Sequence, residues 1–167
     1  MLECCSDTMD KKLVQKTMDI AERYFGTASD QDQIPITMES LDKLVSIDED
    51  AILIKTDEHG EPISWVVVIP TGKETMELFL DNAITEKELF DRAVAENKRE
   101  ALYLCAAFTV PEYRGKGYAQ ELFSRAVKKF APTRETDLFA WIYSPEGQGL
   151  FEAGKKFGRE IRTKTKE

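Results

Sequence analysis

The chain of 167 residues has the length of one domain, and it can bury about two thirds of its unfolded surface without disulfides or a structural metal. Hydrophobic residues make up 42% and charged residues 32%, the balance of a globular chain, and no apolar run approaches the ~20 residues that a membrane helix needs. A net charge of −8 excludes a general nucleic-acid binder, whose affinity rests on neutralised phosphates.

The acidic N-terminal residues carry no apolar stretch of the kind a signal peptide uses. Three cysteines (Cys4, Cys5, Cys105) and one histidine, His59, are too few and too scattered for a zinc site, so no metal is expected. An odd number of thiols fits a reducing compartment and predicts a cytoplasmic protein. Charge is uneven: residues 1–100 carry 11 basic and 23 acidic side chains, net −12, while residues 101–167 are net +4. An anionic ligand would find the better field in the C-terminal part.

In chain order, the apolar residues Leu13, Val14, Met18, Ala21 and Phe25 predict an amphipathic helix over 7–25, stopped by Gly26. Thr37 caps a second, short helix that buries Leu41, Leu44 and Val45. Two apolar runs, 51–54 and 63–69, flank turn formers at 57–62 and predict a hairpin, its second strand ended by Pro70 and Gly72. Residues 73–100 predict a helical insertion between strands, with a capping box at Thr85 and Glu88, in the role of a lid or a structural flap. Residues 102–110 are apolar on both parities, as in a strand covered on both faces. A glycine loop and a helix with the stripe Ala119, Leu122, Phe123, Ala126, Val127 and Phe130 follow. A strand over 136–143, a short helix opened by Ser144 and Pro145, and one short strand or frayed tail complete the chain. The whole predicts a single α+β domain over 1–167, three layers deep, with helices on a mixed central sheet.

Chemistry concentrates where the buried strand enters the glycine loop. Arg114, Gly115, Lys116, Gly117, Tyr118 and Ala119 lead straight into a helix. Free N–H groups at that helix start, with the loop amides, make a cup for negative charge. Glycine lets a ligand approach the backbone closely, and Lys116 adds a cation, so the segment suits a phosphate or pyrophosphate. No G-x-x-x-x-G-K-[ST] loop is present, and Gln120 stands where a G-x-G-x-x-G fingerprint needs its third glycine. The pattern [QR]-x-x-G-x-[GA] is matched by Arg114, Gly117 and Ala119.

On these residues, their strand–loop–helix setting and the flanking Pro111, Tyr113 and Leu122, the chain resembles the GNAT superfamily of acyl-CoA-dependent N-acyltransferases. The resemblance implies a GNAT-like sheet and transfer of an acetyl group from acetyl-CoA, or of another acyl group from its CoA ester, to a small-molecule or peptide amine in a ternary complex. It implies that amides across Arg114, Gly115, Lys116, Gly117, Tyr118 and Ala119 hold the pyrophosphate. Backbone at Phe108, Thr109 and Val110 would hold the pantetheine arm, and the thioester would enter between strands 102–110 and 136–143. Ser144 stands where many relatives carry asparagine and is counted with the cofactor-binding positions. Phe151 stands where a tyrosine often protonates the leaving thiolate, which leaves either water or Tyr143, the candidate catalytic acid, to supply the proton. The strand 102–110 carries no carboxylate to serve as base, no clear counterpart of the family's first strand is present, and the usual final hairpin does not fit in residues 158–167. These departures favour an alternative reading, a binding module that holds acyl-CoA as a sensor or subunit without efficient turnover. A short C-terminal end could be completed by a second copy in a homodimer.

Overall fold

The computed structural model describes residues 11–25, 34–35, 37–142 and 158–165. The elements are α1 (Lys11–Phe25), α2 (Met38–Ile47), a 3-10 turn (Glu49–Ala51), β1 (Ile52–Thr56), β2 (Pro62–Thr71), α3 (Lys73–Leu80), α4 (Glu86–Glu96), β3 (Ala101–Thr109), a second 3-10 turn (Pro111–Tyr113), α5 (Tyr118–Phe130), β4 (Asp137–Ile142) and β5 (Ile161–Thr165). The strands lie side by side in chain order as one sheet. β1, β2 and β3 are antiparallel neighbours, whereas β4 runs parallel to β3 and β5 parallel to β4. The fold is thus α+β with a mixed sheet of five described strands and helices on both of its faces.

Alternation along the strands sorts side chains to the two faces. Val66, Val68, Leu102 and Leu138 meet Leu122, Phe123, Ala126 and Phe130 of α5. On the other face Ile69, Tyr103 and Phe139 pack under Leu44 and Ile47 of α2, Met76 and Phe79 of α3, and Leu89, Phe90 and Ala93 of α4. A smaller cluster joins Ala21 of α1 to Trp65 and Phe108, whose ring centroids are 4.9 Å apart.

Local signals hold where the backbone chemistry is explicit. Thr37 Oγ1 accepts from Ser40 N–H at 3.1 Å to start α2. The capping box at α4 is complete: Glu88 N–H donates to Thr85 Oγ1, and Thr85 N–H donates to the Glu88 carboxylate. Asp57 Oδ1 accepts from His59 and Glu61 N–H in the hairpin turn.

Two expectations are corrected. Pro70 does not end β2, which runs on to Thr71 with Pro70 opposite Leu102. β1 begins opposite Val67, so Pro70 has a strand neighbour on one side only, where a missing N–H is tolerated. The segment 73–100 forms the expected helices between β2 and β3, but it is more than a flap, because Met76, Phe79, Leu89, Phe90 and Ala93 build a core cluster against the sheet. The helix expected after Ser144 lies outside the described residues. No described helix is long and apolar enough to cross a membrane.

Candidate functional site

The register of β3 sets up the site. Val67 of β2 is opposite Ala106 and Val68 is opposite Leu104, so Cys105 is an extra residue, a β-bulge. An extra residue breaks the in–out alternation. Cys105 and Ala106, although consecutive, both line a cavity on the α1/α2 face. The bulge falls where β3 leaves β4: pairing between them covers Ala101 to Leu104 against Asp137 to Ala140 and goes no further. Among the described residues, β3 is paired with β2 only from Cys105 to Thr109. Among the described residues this leaves a notch between β3 and β4, and residues 143–157, which follow β4, lie outside the described residues.

Beyond the notch, Val110 N–H donates to Ile63 O at 2.9 Å, and Ser64 Oγ donates to Phe108 O at 3.1 Å. These bonds fix the end of β3, where Phe108, Thr109 and Val110 sit. The loop then turns through Pro111–Tyr113. Arg114 folds back: its Nε–H donates to Thr109 O at 3.0 Å, and its guanidinium lies 5.5 Å from the Phe108 ring centroid. In this position it braces the loop against the strand.

Gly115 (φ +82°) and Gly117 (φ +78°) are both left-handed, and Gly117 is the N-cap of α5 with no side-chain cap bond. The first helical bond is from Glu121 N–H to Gly117 O at 3.0 Å. The amides of Tyr118, Ala119 and Gln120 therefore have no helical acceptor. A Cβ at Gly115 or Gly117 would meet nothing within 4 Å, so the space in front of the loop is open. The α5 macrodipole adds positive potential at the same end. Two cations flank the cup. Lys116 Nζ is 5.2 Å from the Tyr113 ring, and Lys55 Nζ is 4.6 Å from the Tyr118 ring and 3.4 Å from the Glu121 carboxylate. The arrangement can bind an anion with several oxygens by backbone donors, with lysines adding charge.

Tyr143, Ser144 and Phe151 lie outside the described residues. Phe108, Thr109, Val110 and Arg114 to Ala119 lie on one stretch of chain, from the end of β3 to the first turn of α5.

Sequence reasoning missed Glu86. It is 6% exposed, beneath the cavity. Tyr103 Oη–H donates to its Oε1 at 2.8 Å, Cys105 Sγ–H reaches the same oxygen at 3.6 Å, and Ile34 N–H donates to Oε2 at 3.4 Å. Glu86 reads in the sequence as one more acid in a helix's first turn. The signal was Tyr103, a phenol on a buried strand whose hydroxyl needs a partner. Burial and the neighbouring Glu86 charge push the Cys105 thiol well above the ordinary thiol range. Lys55 was also missed, because it sits on β1, remote in sequence from Tyr118 and Glu121 beside which it lies. Among the described residues, no group of three or more Asp, Glu, Cys or His could hold a metal.

No family model and no curated protein matches the chain. Among solved structures it is similar to an N-acetyltransferase from Staphylococcus aureus Mu50, at 16% identity over 88% of this chain and 81% of that one, with a TM-score of 0.39. A likeness at that level carries no argument about chemistry.

Proposed function

We propose that this protein is an acyl-CoA-dependent N-acyltransferase, moving an acetyl or other small acyl group to an amine. The observation that carries the reading is the sequence of bulge, notch and uncapped glycine loop along a single strand and the helix after it. The residues fit the cofactor at both ends. Open space over Gly115 and Gly117, with the amides of Tyr118, Ala119 and Gln120 beside it, suits a pyrophosphate. The edge of β3 that has no partner in β4 among the described residues, ending at Phe108, Thr109 and Val110, suits an amide-bearing arm that pairs like a strand. Acetyl-CoA would supply an acyl group already activated as a thioester.

The protein's own contribution is placement. The Arg114 brace holds the loop, the loop amides fix the anionic end, and the notch holds the other end near Cys105 and Ala106. Holding two reactants in register supplies a large part of a transfer enzyme's rate. Tyr143 is assigned the proton for the departing thiolate, since Phe151 has no hydroxyl to offer it. Ser144 stands with the cofactor-binding positions, and the acceptor is a small-molecule or peptide amine.

Calorimetry with CoA and acetyl-CoA, paired with thiol release against an amine panel, tests the reading. Gly117→Asn is the site probe: asparagine tolerates the left-handed backbone, and its side chain projects into the open cup. Valine would be a poor probe, because φ +78° strains a β-branched residue whatever the space. CoA affinity should fall about tenfold or more in Gly117→Asn with the melting temperature little changed, as expected when a side chain blocks a backbone cradle. Unchanged affinity in a folded variant would refute the loop assignment. Tight CoA binding with no amine-dependent thiol release would favour the binding module instead.

A further inference from the structure

We propose that the cavity on the α1/α2 face of the β3 bulge is an acyl-chain pocket, and that the donor it selects is a medium-chain acyl-CoA of about six acyl carbons rather than acetyl-CoA. The proposal rests on the N-acyltransferase reading and names the donor class of that same site.

The cavity has a volume of about 170 Å³ and lies between α1, α2 and the faces of β2 and β3. Met18 of α1, Leu41 and Leu44 of α2, Trp65 of β2 and Phe90 of α4 give it walls of carbon. A dry cavity of about 150 Å³ with such walls holds a benzene molecule, which has about the carbon content of a hexanoyl group. The methyl of an acetyl group would leave most of that space empty. The further carbons of a hexanoyl chain would fill it.

The polar side chains on the lining are turned to partners within the protein. Thr17 Oγ1–H donates to Leu13 O at 2.8 Å, along α1. Thr37 Oγ1–H donates to Ser40 Oγ at 3.2 Å, and Thr37 Oγ1 accepts from Ser40 N–H at 3.1 Å. The Glu86 carboxylate accepts from Tyr103 Oη–H at 2.8 Å, from Cys105 Sγ–H at 3.6 Å and from Ile34 N–H at 3.4 Å. Its charge is matched by the protein's own donors. A polar group carried into such a space loses its water and gains little in return. An occupant that is hydrocarbon throughout has no such loss, and it gains the removal of its surface from water. This favours the tail of an acyl chain over an amine, a hydroxyl or an acid.

Placement connects the pocket to the donor. The bulge turns both Cys105 and Ala106 into the cavity wall. Among the described residues, these two are the first of β3 beyond its pairing with β4, which ends at Leu104. The N-acyltransferase reading puts the thioester where the two strands part. A chain leaving its carbonyl across Cys105 and Ala106 enters the cavity directly.

Calorimetry with the full chain and a series of CoA, acetyl-, butyryl-, hexanoyl-, octanoyl- and decanoyl-CoA, all below their micelle concentrations, tests the proposal. Each fully buried methylene is worth about fourfold in affinity. Hexanoyl-CoA should bind at least about tenfold tighter than acetyl-CoA, and decanoyl-CoA should gain nothing beyond that. Leu41→Trp, checked for folding by its thermal melt, should fill the cavity and cut the hexanoyl-to-acetyl ratio to about threefold or less. Leu41→Ala should enlarge the cavity and move the optimum from hexanoyl to octanoyl or longer, and it decides the matter if Leu41→Trp fails to fold. CoA binding with equal affinity across the chain lengths would overturn the pocket and leave the acyltransferase reading standing. So would affinity that climbs steadily to decanoyl-CoA, as on an open apolar surface, a ratio that survives in folded Leu41→Trp, or an optimum unmoved in Leu41→Ala. Failure of CoA and all its esters to bind would overturn both the reading and the pocket.

Discussion

Cys105 shows how little a reactive side chain says without its surroundings. Nucleophilic cysteines are thiolates held in electropositive, accessible places. Cys105 has a carboxylate as neighbour, and both that charge and its burial oppose ionisation. Its importance is positional, as the extra residue of the bulge. Cys105→Ala should therefore keep any acyl transfer within about threefold, since no chemical step is assigned to the thiol. Intact-mass measurement after incubation with acetyl-CoA should find no acyl adduct on the wild-type thiol. An adduct trapped on Cys105 would replace direct transfer by a ping-pong scheme. Arg114 makes the complementary point. As a basic residue in a phosphate-suited loop it invites assignment as a ligand, yet its Nε–H is spent on Thr109 O.

At the scale of elements, α3 and α4 decide whether the inner sheet face has a core at all. Phe79 is fully buried and meets Tyr103, Phe139 and Trp141 edge-on, with centroids 5.2, 6.1 and 6.2 Å away. A segment serving only as a lid would tolerate its loss. Phe79→Ala should instead cost about 3–5 kcal/mol in urea unfolding, the usual cost of emptying an aromatic site in a core. A cost under about 1 kcal/mol would return the segment to the role of a flap. The same helix pair carries the buried carboxylate: α4 must start where it does for Glu86 to lie over Tyr103 and Cys105. The complete capping box at Thr85 and Glu88 is what fixes that start. A stability device thereby sets the position of a carboxylate at the cavity wall.

Across the whole molecule, Asp48 ties remote parts together. It follows α2, accepts Asp50 N–H at 2.9 Å, and takes Arg99 from the approach to β3 and Lys129 from α5 at 2.9 and 2.8 Å. Burial by itself would raise its carboxyl, but the bonds from Lys129, the Asp50 amide and Arg99 outweigh that and hold it below the ordinary range. A carboxyl lowered in the folded state stabilises fully above its unfolded value of about 4 and loses that effect as pH falls through the folded value. Asp48→Asn should cost about 1 kcal/mol at pH 7, a modest sum because both cationic partners are largely exposed. The difference from wild type should shrink in urea melts taken below about pH 4. A difference that stays constant with pH would mean that hydrogen-bond geometry, not charge, is the contribution. The ties to Arg99 and Lys129 were not legible in the sequence, since they join residues 51 and 81 positions apart. What was legible is local: the Thr37 and Thr85 caps, the Asp57 turn, the α5 stripe and the glycine loop each carry their own short-range chemistry. The apolar cavity was hidden for the same reason as those ties, because Met18, Leu41, Trp65, Glu86 and Cys105 meet only after folding.

The bulge also fixes a parity that composition cannot encode. Trp65 and Ile69 are four residues apart in β2 and share a face, as even spacing requires. Their partners Phe108 and Tyr103 are five apart, an odd number that would put them on opposite faces of a regular strand. One surplus residue between them restores agreement, so that Phe108 reaches Trp65 while Tyr103 reaches Glu86. Removing a single residue between 104 and 107 would leave every side-chain type intact and still turn one half of β3 inside out. The loop that follows would then leave the sheet from the wrong side. In this strand the count of residues is as much a part of the site as their identities.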